Sequence, residues 1–446
     1  MAGSIGFCFR LIIFLPGYRQ ACHFCIFVTL IYEKMNNLDF EDYLLNIPYP
    51  RPDVYGSLSM PVYNTAAYEF KSASEMEAAF CGKTTDHTYS RISNPTVHFF
   101  EERVKQLTGA FNVTALNSGM AAVSNVFMSI AYSGSNVVVS PHLFGNTWSF
   151  FENTIRAFGV EVRFCDLTNE KEVCEHIDEN TCAVFLEIIT NPQMEVVDLS
   201  FLSALAREKN VPLIADTTLV PFSVFKADNF GIDIEVVSST KYISGGATSI
   251  GGLIIDYATF DWTRNKRLNE LAKEHRNHAF NYKLRKEIHR NFGAYMDPRT
   301  AHLQTIGLET LHLRYERQSH TCLELAKRLQ TMEGIESVNY TGLPGNPYYN
   351  VSLRQFGNSP GAMLTFDLVS KSACFQFLDN LKVIRRATNL FDNKSLAIHP
   401  ASTIYGSLTQ AQREAMKIHD KTIRLSVGLE SVNRLLEDIG QALRKK

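Results

Sequence analysis

Short apolar runs alternate with helical patterns between about residues 100 and 260, and this alternation restricts the fold more than any other feature. Continuous apolar runs between helices are typical of strands buried on both faces of a mostly parallel sheet. The sequence therefore predicts an α/β domain whose ligands bind at the carboxyl ends of the strands. The predicted strands are Asn136–Ser140, Val160–Phe164, Ala183–Ile189, Pro212–Asp216 and Ile232–Ser238, and the predicted helices are Thr147–Ala157, Glu170–Ile177 and Leu199–Lys209.

The pattern changes after about residue 296. A long helical stretch, Arg299–Met332, leads out of the first region, and a closing helix, Val432–Leu443, begins after Ser431, a suitable N-cap. Strand-like runs between them lie at Ala362–Leu368, Val383–Arg386 and Ile423–Val427. A chain of 446 residues is too long for one ordinary core. The predicted organisation is an N-terminal arm at 35–99, a large domain at 100–295 and a smaller α+β domain at 296–446.

Composition argues against several kinds of partner. The chain has 45% apolar and 20% charged residues and a net charge of -2, which gives no reason to expect nucleic acid or an anionic membrane as partner. Its nine cysteines are scattered, and Cys165, Cys182 and Cys374 lie in apolar or helical stretches. This predicts reduced thiols in a cytoplasmic protein. Cys22 and Cys25 have no second Cys/His pair at zinc-like spacing, so no metal site is predicted.

The first residues are apolar, but their apolar runs are interrupted. The runs Leu11–Leu15 and Phe24–Val28 are separated by Pro16 and polar residues, so neither reaches the roughly 20 residues of a membrane span. A signal peptide is the alternative, although no small-residue cleavage site stands out. We expect residues 1–34 to be an upstream extension or leader, with translation starting at Met35.

Two residues at predicted strand ends are candidates for covalent and acid–base chemistry. Lys241 follows Ser238-Ser239-Thr240, and a desolvated lysine amine there would be nucleophilic near neutral pH. A surface lysine is the alternative. Asp216 ends the preceding apolar strand, where a carboxylate is unfavourable unless it is paired. A pyridinium nitrogen would be a suitable partner, and a turn or N-cap aspartate is the alternative.

Two other segments carry donors suited to a phosphate. Asn117–Ala122 opens a helix of small residues, where backbone amides bind phosphate and Gly119 permits a close approach. Tight packing of that helix on the sheet is the alternative. In Tyr89–Thr96, Arg91 offers a planar fork of donors beside the hydroxyl of Tyr89.

Further polar residues follow or interrupt apolar strands. Asn191 ends one strand and could bond a ring hydroxyl, and Arg424 lies inside another, where a substrate carboxylate would pair with it. Together and in this order, the motifs resemble those of the Cys/Met-metabolism family of fold-type-I enzymes that use pyridoxal 5'-phosphate (PLP). The resemblance runs from about residue 50 to the C-terminus. It rests on YSRxxNPT, SGMAA, NP after an acidic strand, AD-T, S-TK and RLSVGLE.

The resemblance implies a role for each matching residue. Lys241 would carry PLP as a Schiff base and move protons between substrate carbons. Asp216 would pair with the pyridine nitrogen and Asn191 would contact the cofactor hydroxyl, while Arg424 and Asn389 would bind the amino-acid substrate. The other implied cofactor contacts are Ser118, Gly119, Met120, Phe144, Thr218, Ser238 and Thr240.

The resemblance also implies an assembly. Tyr89 and Arg91 would reach the phosphate of a neighbouring subunit. The active site would then lie between subunits, and the expected assembly is a homotetramer of two such dimers.

The sequence departs from the family pattern at several positions. Phe144 stands where a tyrosine usually stacks on the cofactor, and phenylalanine cannot donate a proton to a leaving group. Thr217 replaces the usual asparagine after the aspartate, Val237 the usual histidine, and Asn389 the usual serine before leucine.

The expected reaction is γ-replacement on O-acetyl- or O-succinylhomoserine, with sulfide as the second substrate and homocysteine as the product. An ester leaves more readily than a thiolate, which suits Phe144. Cystathionine γ-synthase and a methionine or cystathionine γ-lyase are the alternatives within the family. An inactive relative that binds PLP is an alternative of a different class.

Overall fold

The computed structural model describes residues 40–48 and 53–444. The chain divides into two units between residues 47 and 48, and helix α1 (Phe40–Leu45) belongs to the first. The predicted leader and the pair Cys22 and Cys25 lie outside the described residues. Among the residues that are described, no helix combines the length and apolar character that crossing a membrane requires.

A seven-stranded sheet forms the centre of the second unit. Its strands are β1 (Asn112–Leu116), β2 (Asn136–Val139), β3 (Glu161–Phe164), β4 (Thr181–Glu187), β5 (Leu213–Asp216), β6 (Ile234–Val237) and β7 (Gly252–Asp256). Their order is β1-β7-β6-β5-β4-β2-β3. β7 runs antiparallel to both neighbours, and the other pairings are parallel. The predicted α/β class with a mostly parallel sheet is confirmed, and β1 and β7 are additional strands.

Helices cover this sheet. Those of the first part of the unit are α2 (Ala73–Phe80), α3 (Pro95–Thr108), α4 (Gly119–Ile130), α5 (Gly145–Ser149), α6 (Glu170–His176), α7 (Leu199–Lys209), α8 (Asn269–His275), α9 (Ala279–Lys283) and α10 (His289–Phe292). α7 has the predicted bounds because residues that favour helix termini stand at both of its ends. Asp198 caps its first turn by accepting a bond from the amide of Ser200, and Asn210 ends it in the left-handed region at φ 53°.

The predicted helical segment Thr147–Ala157 is present, but it is α-helical only as far as Ser149. α5 ends at Ser149, a π-helical turn follows at Phe150–Thr154, and a 3₁₀ turn follows at Ile155–Phe158. Phe150 and Phe151 are both buried, and a regular helix would turn consecutive side chains about 100° apart. The wider turn coincides with this double burial. Phe151 lies 4.9 Å from the ring centroid of Phe127 on α4, an aromatic contact worth about 0.5–1.5 kcal/mol beyond burial.

The second, five-stranded sheet has the order β10-β11-β12-β9-β8. Its strands are β8 (Ser337–Asn339), β9 (Met363–Asp367), β10 (Arg385–Arg386), β11 (Leu396–Ile398) and β12 (Thr422–Ser426), and the remaining helices are α11 (Pro298–Leu308), α12 (Leu311–Leu329), α13 (Tyr349–Phe356), α14 (Lys371–Asn380), α15 (Gln410–Ala415) and α16 (Val432–Arg444). The three predicted strands and the closing helix are present. The predicted domain boundaries at 99/100 and 295/296 stay predictions.

The predicted single stretch Arg299–Met332 is two helices, because the chain breaks between α11 and α12. At the end of α11, Gly307 packs so closely on the turn after Lys241 that a Cβ would lie 2.0 Å from the carbonyl oxygen of Ile243. Just beyond, Glu309 pairs with Arg103 of α3 at 3.0 Å. The close approach at Gly307 therefore packs the turn after Lys241 directly against α11.

Candidate active site

A cavity of about 630 Å³ lies where the carboxyl ends of β4, β5 and β6 meet, the edge at which such sheets bind ligands. Twelve of the fourteen predicted site residues line it: Ser118, Gly119, Met120, Phe144, Asn191, Asp216, Thr218, Ser238, Thr240, Lys241, Asn389 and Arg424. The fold thus brings together residues that are far apart in the sequence. The role of each residue stays a prediction.

Lys241 stands between β6 and a 3₁₀ turn at Tyr242–Ser244. Its backbone amide donates to the carbonyl of Ser238 at 3.1 Å, and its Nζ donates to Oδ1 of Asn389 at 2.8 Å. Burial and the charge of Arg424 lower the pKa of the Lys241 amine to about 8, and only the charge of Asp216 opposes this. A substantial fraction of the amine is therefore neutral near physiological pH, as nucleophilic attack requires.

Asp216 ends β5 and faces the same cavity. Its Oδ1 accepts a bond from the amide of Thr218 at 2.9 Å. Burial raises the pKa of the Asp216 carboxyl, while the hydrogen bonds from Thr218 and the charge of Lys241 act in the opposite direction. A cationic ring nitrogen in the cavity would favour the charged form of the carboxyl further.

The start of α4 and the strand end at β6 approach each other closely. Ser118 caps α4, because its Oγ accepts a bond from the amide of Ala121 at 3.1 Å. A Cβ on Gly119 would lie 2.8 Å from Cβ of Ser238, so glycine is needed for this approach. The amide of Ser238 is held by Oγ1 of Thr218 at 2.8 Å. A helix N-terminus beside hydroxyl groups is suited to a phosphate.

The opposite wall contains Phe144 and a buried acid. The amide of Phe144 donates to Oε1 of Glu187 at 2.6 Å. Gly145 follows, and a Cβ there would lie 2.6 Å from the carbonyl oxygen of Ile404. Phe144 is therefore held on both sides of its backbone. Glu187 is not among the predicted site residues, although it ends β4 as Asp216 ends β5, and that similarity was the available signal.

Arg424 lies on β12 with 2% of its surface exposed. Its Nη1 donates to Oδ1 of Asn191 at 3.3 Å and its Nη2 to the carbonyl of Thr388 at 3.1 Å, while Nε has no partner among the described residues. Burial lowers the pKa of the guanidinium to about 10. A cation with a free donor at a cavity wall is suited to a carboxylate.

Tyr89 and Arg91 lie outside this cavity in the single chain. Tyr89 is 42% exposed, and the guanidinium of Arg91 lies 5.5 Å from its ring centroid. Arg91 lines a separate cavity of about 360 Å³, and its Nη1 donates to the carbonyl of Arg290 at 2.5 Å. Their predicted contact with a neighbouring subunit stays a prediction.

Thr217, which departs from the family pattern, makes a buried hydrogen bond outside the cavity. The hydroxyl of Thr217 donates to the carboxyl of Glu235 on β6, and the hydroxyl of Tyr257 donates to the same carboxyl at 2.8 Å. Burial raises the pKa of Glu235 to about 7. None of these three side chains lines the cavity. Their pairing joins segments distant in the sequence, so no local motif indicates it.

Several independent observations indicate that pyridoxal phosphate fits this cavity. It holds a lysine amine of lowered pKa and a carboxyl beside it, and Gly119 leaves the space for a group between α4 and Ser238. Nε of Arg424 and Oε2 of Glu187 are buried without partners among the described residues. Such orphaned polar atoms at a cavity wall indicate a bound group.

This fold and this site define a fold-type-I PLP-dependent enzyme. Residues 44–444 match the family described as Cys/Met metabolism PLP-dependent enzyme, and the chain belongs to that family. Its members use PLP in forming or cleaving carbon–sulfur bonds.

Three similar proteins illustrate the range of relatives. O-acetyl-L-homoserine sulfhydrylase of Corynebacterium glutamicum is 31% identical over 402 residues, covering 85% of this chain and 91% of the relative. A solved O-acetylhomoserine sulfhydrylase of Wolinella succinogenes is 43% identical, with a TM-score of 0.71 and coverage of 79% of this chain and 99% of that one.

A Campylobacter jejuni structure, described as an O-acetylhomoserine (thiol)-lyase, carries N'-pyridoxyl-lysine-5'-monophosphate. It is 30% identical with a TM-score of 0.85, covering 92% of this chain and 100% of that one.

Proposed function

We propose that this chain is an O-acylhomoserine sulfhydrylase that makes homocysteine from the ester and sulfide. The observation that carries the proposal is Phe144 at the cavity wall, held there by Glu187 and by the close packing of Gly145. Phenylalanine cannot protonate a leaving group, so the site suits a carboxylate, which leaves without a proton. The sulfhydrylase names of the relatives support the same choice.

The reaction balances without an oxidant or reductant. The bond between Cγ and the ester oxygen breaks, a bond between Cγ and sulfur forms, and the acyl group departs as its carboxylate. PLP, when bound, supplies an electron sink that stabilises the carbanions next to the amino group. The protein residues must therefore bind the substrate and move protons at the α- and β-carbons.

Each proton transfer is assigned to Lys241. Its amine, with a pKa of about 8, can both accept and return a proton near neutral pH. Asn389 holds that amine at 2.8 Å. Asp216 lines the same cavity and would supply the negative charge that pairs with the ring nitrogen of the cofactor. Arg424 binds the α-carboxylate, because it is a buried cation with an unused donor.

The charge of the cavity favours the acetyl ester over the succinyl ester. Among the described lining residues, Lys241 and Arg424 are the cationic side chains, and both already have roles. The remaining wall includes Leu219, Ile250 and Ile404, which suit an uncharged acyl group. A succinyl group would bring a second carboxylate, and the described lining of this chain has no further cation to pair with it.

We place the complete site at a subunit interface of a dimer, within a tetramer. Arg91 is a phosphate-type donor that lies away from the cavity of its own chain, and this supports a role in the site of a second copy.

The deciding experiment is turnover by the PLP-loaded protein of O-acetylhomoserine and O-succinylhomoserine, with and without sulfide. Homocysteine and 2-oxobutanoate are measured together. Sulfide-dependent homocysteine, formed faster from the acetyl ester, is expected. Keto acid alone would instead indicate a γ-lyase. Cystathionine formed when cysteine replaces sulfide would indicate a cystathionine γ-synthase. No turnover of either ester by the PLP-loaded protein would indicate an inactive relative that binds PLP, or a family member with a different substrate.

A further inference from the structure

The cavity contains a second carboxyl group, and the roles assigned above do not use it. Glu187 ends β4 directly beside Asp216 at the end of β5, since the two residues are paired in the register of the sheet. Both line the cavity, and Glu187 is 4% exposed. Two acidic side chains on adjacent strand ends share one poorly solvated space.

The two oxygens of Glu187 have different surroundings. Oε1 accepts the bond from the amide of Phe144 at 2.6 Å. Oε2 is buried and has no hydrogen-bond partner among the described residues. Through Oε1 the acid therefore fixes the backbone of Phe144 at the wall of the cavity, while Oε2 is enclosed by the protein.

The two carboxyls cannot both be charged without strong repulsion. Burial and the neighbouring Asp216 raise the pKa of Glu187 well above its ordinary value, and the amides of Phe144 and Asn191 oppose this only in part. The positive charge of Lys241 lowers the pKa of Asp216 and so stabilises its ionised form. The proton therefore belongs on Glu187 and the negative charge on Asp216.

We propose that Glu187 is a positioning residue of the cofactor site, which holds the backbone of Phe144 through Oε1 and leaves Asp216 as the charged carboxyl of the two neighbouring strand ends. Asp216 then remains the single anion facing the ring nitrogen, and the aromatic wall keeps its place. This inference rests on the cofactor site of the proposed function, but not on the identity of the substrate.

Two substitutions distinguish the effect of the charge of Glu187 from the effect of its hydrogen bond to Phe144. Glu187→Gln is neutral and its side-chain oxygen can still accept the bond from Phe144, whereas Glu187→Ala removes both features. Glu235→Gln is the matched control, because Glu235 is an equally buried acid on β6 that does not line the cavity. The readouts are the dissociation constant for PLP and the pH midpoint of the bound cofactor's visible absorbance, with near-UV circular dichroism as a check of folding.

In Glu187→Gln, we expect the midpoint to move by less than about 0.3 pH units, because one neutral group replaces another. In Glu187→Ala, the amide of Phe144 loses its partner, and we expect PLP to bind about tenfold more weakly. Glu235→Gln should alter neither quantity, even if its unfolding temperature falls.

A midpoint in Glu187→Gln lower by about one pH unit or more would show that a negative charge had been removed, and this would overturn the inference. Tight PLP binding with an unchanged spectrum in Glu187→Ala would overturn the positioning role. If the alanine variant does not fold, the glutamine titration decides alone. No substrate is used, so an error in the proposed reaction leaves these outcomes unaffected.

Discussion

Nζ of Lys241 donates a hydrogen bond to Oδ1 of Asn389 over 2.8 Å, although 148 positions separate the two residues in the sequence. The lysine follows a strand of the large sheet, and Asn389 precedes β11 of the second sheet. Arg424 donates to the backbone carbonyls of Thr388 and Asn389 at 3.1 and 3.4 Å. One short loop therefore contacts both the proposed proton carrier and the proposed carboxylate binder.

The contact with Asn389 predicts a loss of rate when its side chain is shortened. Asn389→Ala removes the acceptor that orients the amine, and we expect kcat to fall about tenfold because misplaced catalytic groups react slowly. Asn389→Ser keeps a hydroxyl at shorter reach and should show an intermediate rate. Steady-state kinetics with the acetyl ester and sulfide measure both. An unchanged kcat in the alanine variant would remove Asn389 from the proton-transfer step.

The lowered pKa of Lys241 predicts how the apoprotein takes up PLP. Only the neutral amine attacks the cofactor aldehyde, and the neutral fraction rises about tenfold per pH unit below the pKa of about 8. The rate of uptake should rise with pH and level off above 8. Stopped-flow absorbance from pH 6 to 9.5 measures this. A rate still rising steeply at pH 9.5 would mean that the amine keeps an ordinary pKa.

The same pKa depends in part on Arg424, whose positive charge is the second cause of its lowering. In Arg424→Met, removal of this charge should raise the pKa of Lys241, so the plateau of the uptake profile should move to higher pH.

Arg424 also predicts a change in substrate affinity. Arg424→Lys keeps the charge but loses the planar fork, and we expect KM for the ester to rise about 10- to 100-fold with a smaller change in kcat. Arg314→Lys is the matched control, because Arg314 is also buried but donates to the carbonyl of Gly307, away from the cavity. The control should lose thermal stability and keep its KM. Equal KM changes in both variants would contradict the assignment.

Local sequence patterns predict well which polar residues lie at the carboxyl ends of the strands. Asp216 and Lys241 follow apolar runs, and parallel strands bring their carboxyl ends to one edge, so their meeting follows from the pattern. Glu187 has the same local signal as Asp216. Its part in the site depends on the position of the amide of Phe144, which only the folded chain establishes.

Other features depend on tertiary packing and leave no local signal. The bond between Lys241 and Asn389 requires the second sheet to stand against the first, and the bond between Thr217 and Glu235 joins neighbouring strands. The widened turn at Phe150–Thr154 contains two buried adjacent rings, and hydrophobic periodicity does not distinguish it from an ordinary helix. Hydrophobic periodicity reports local structure, whereas these contacts are set by the other elements packed on each site.

Mixed assemblies test whether the active site is shared between subunits. A Lys241→Ala chain retains Arg91, and an Arg91→Ala chain retains Lys241, so each homodimer should be nearly inactive if both residues are needed. A mixed dimer pairs the Lys241 of one chain with the Arg91 of the other and restores one of its two sites. After unfolding and refolding of equal amounts together, about half of the dimers are mixed, and activity should reach about one quarter of wild type. Arg91→Ala chains that keep full activity alone, or mixtures that stay inactive, would place Arg91 outside the neighbouring site.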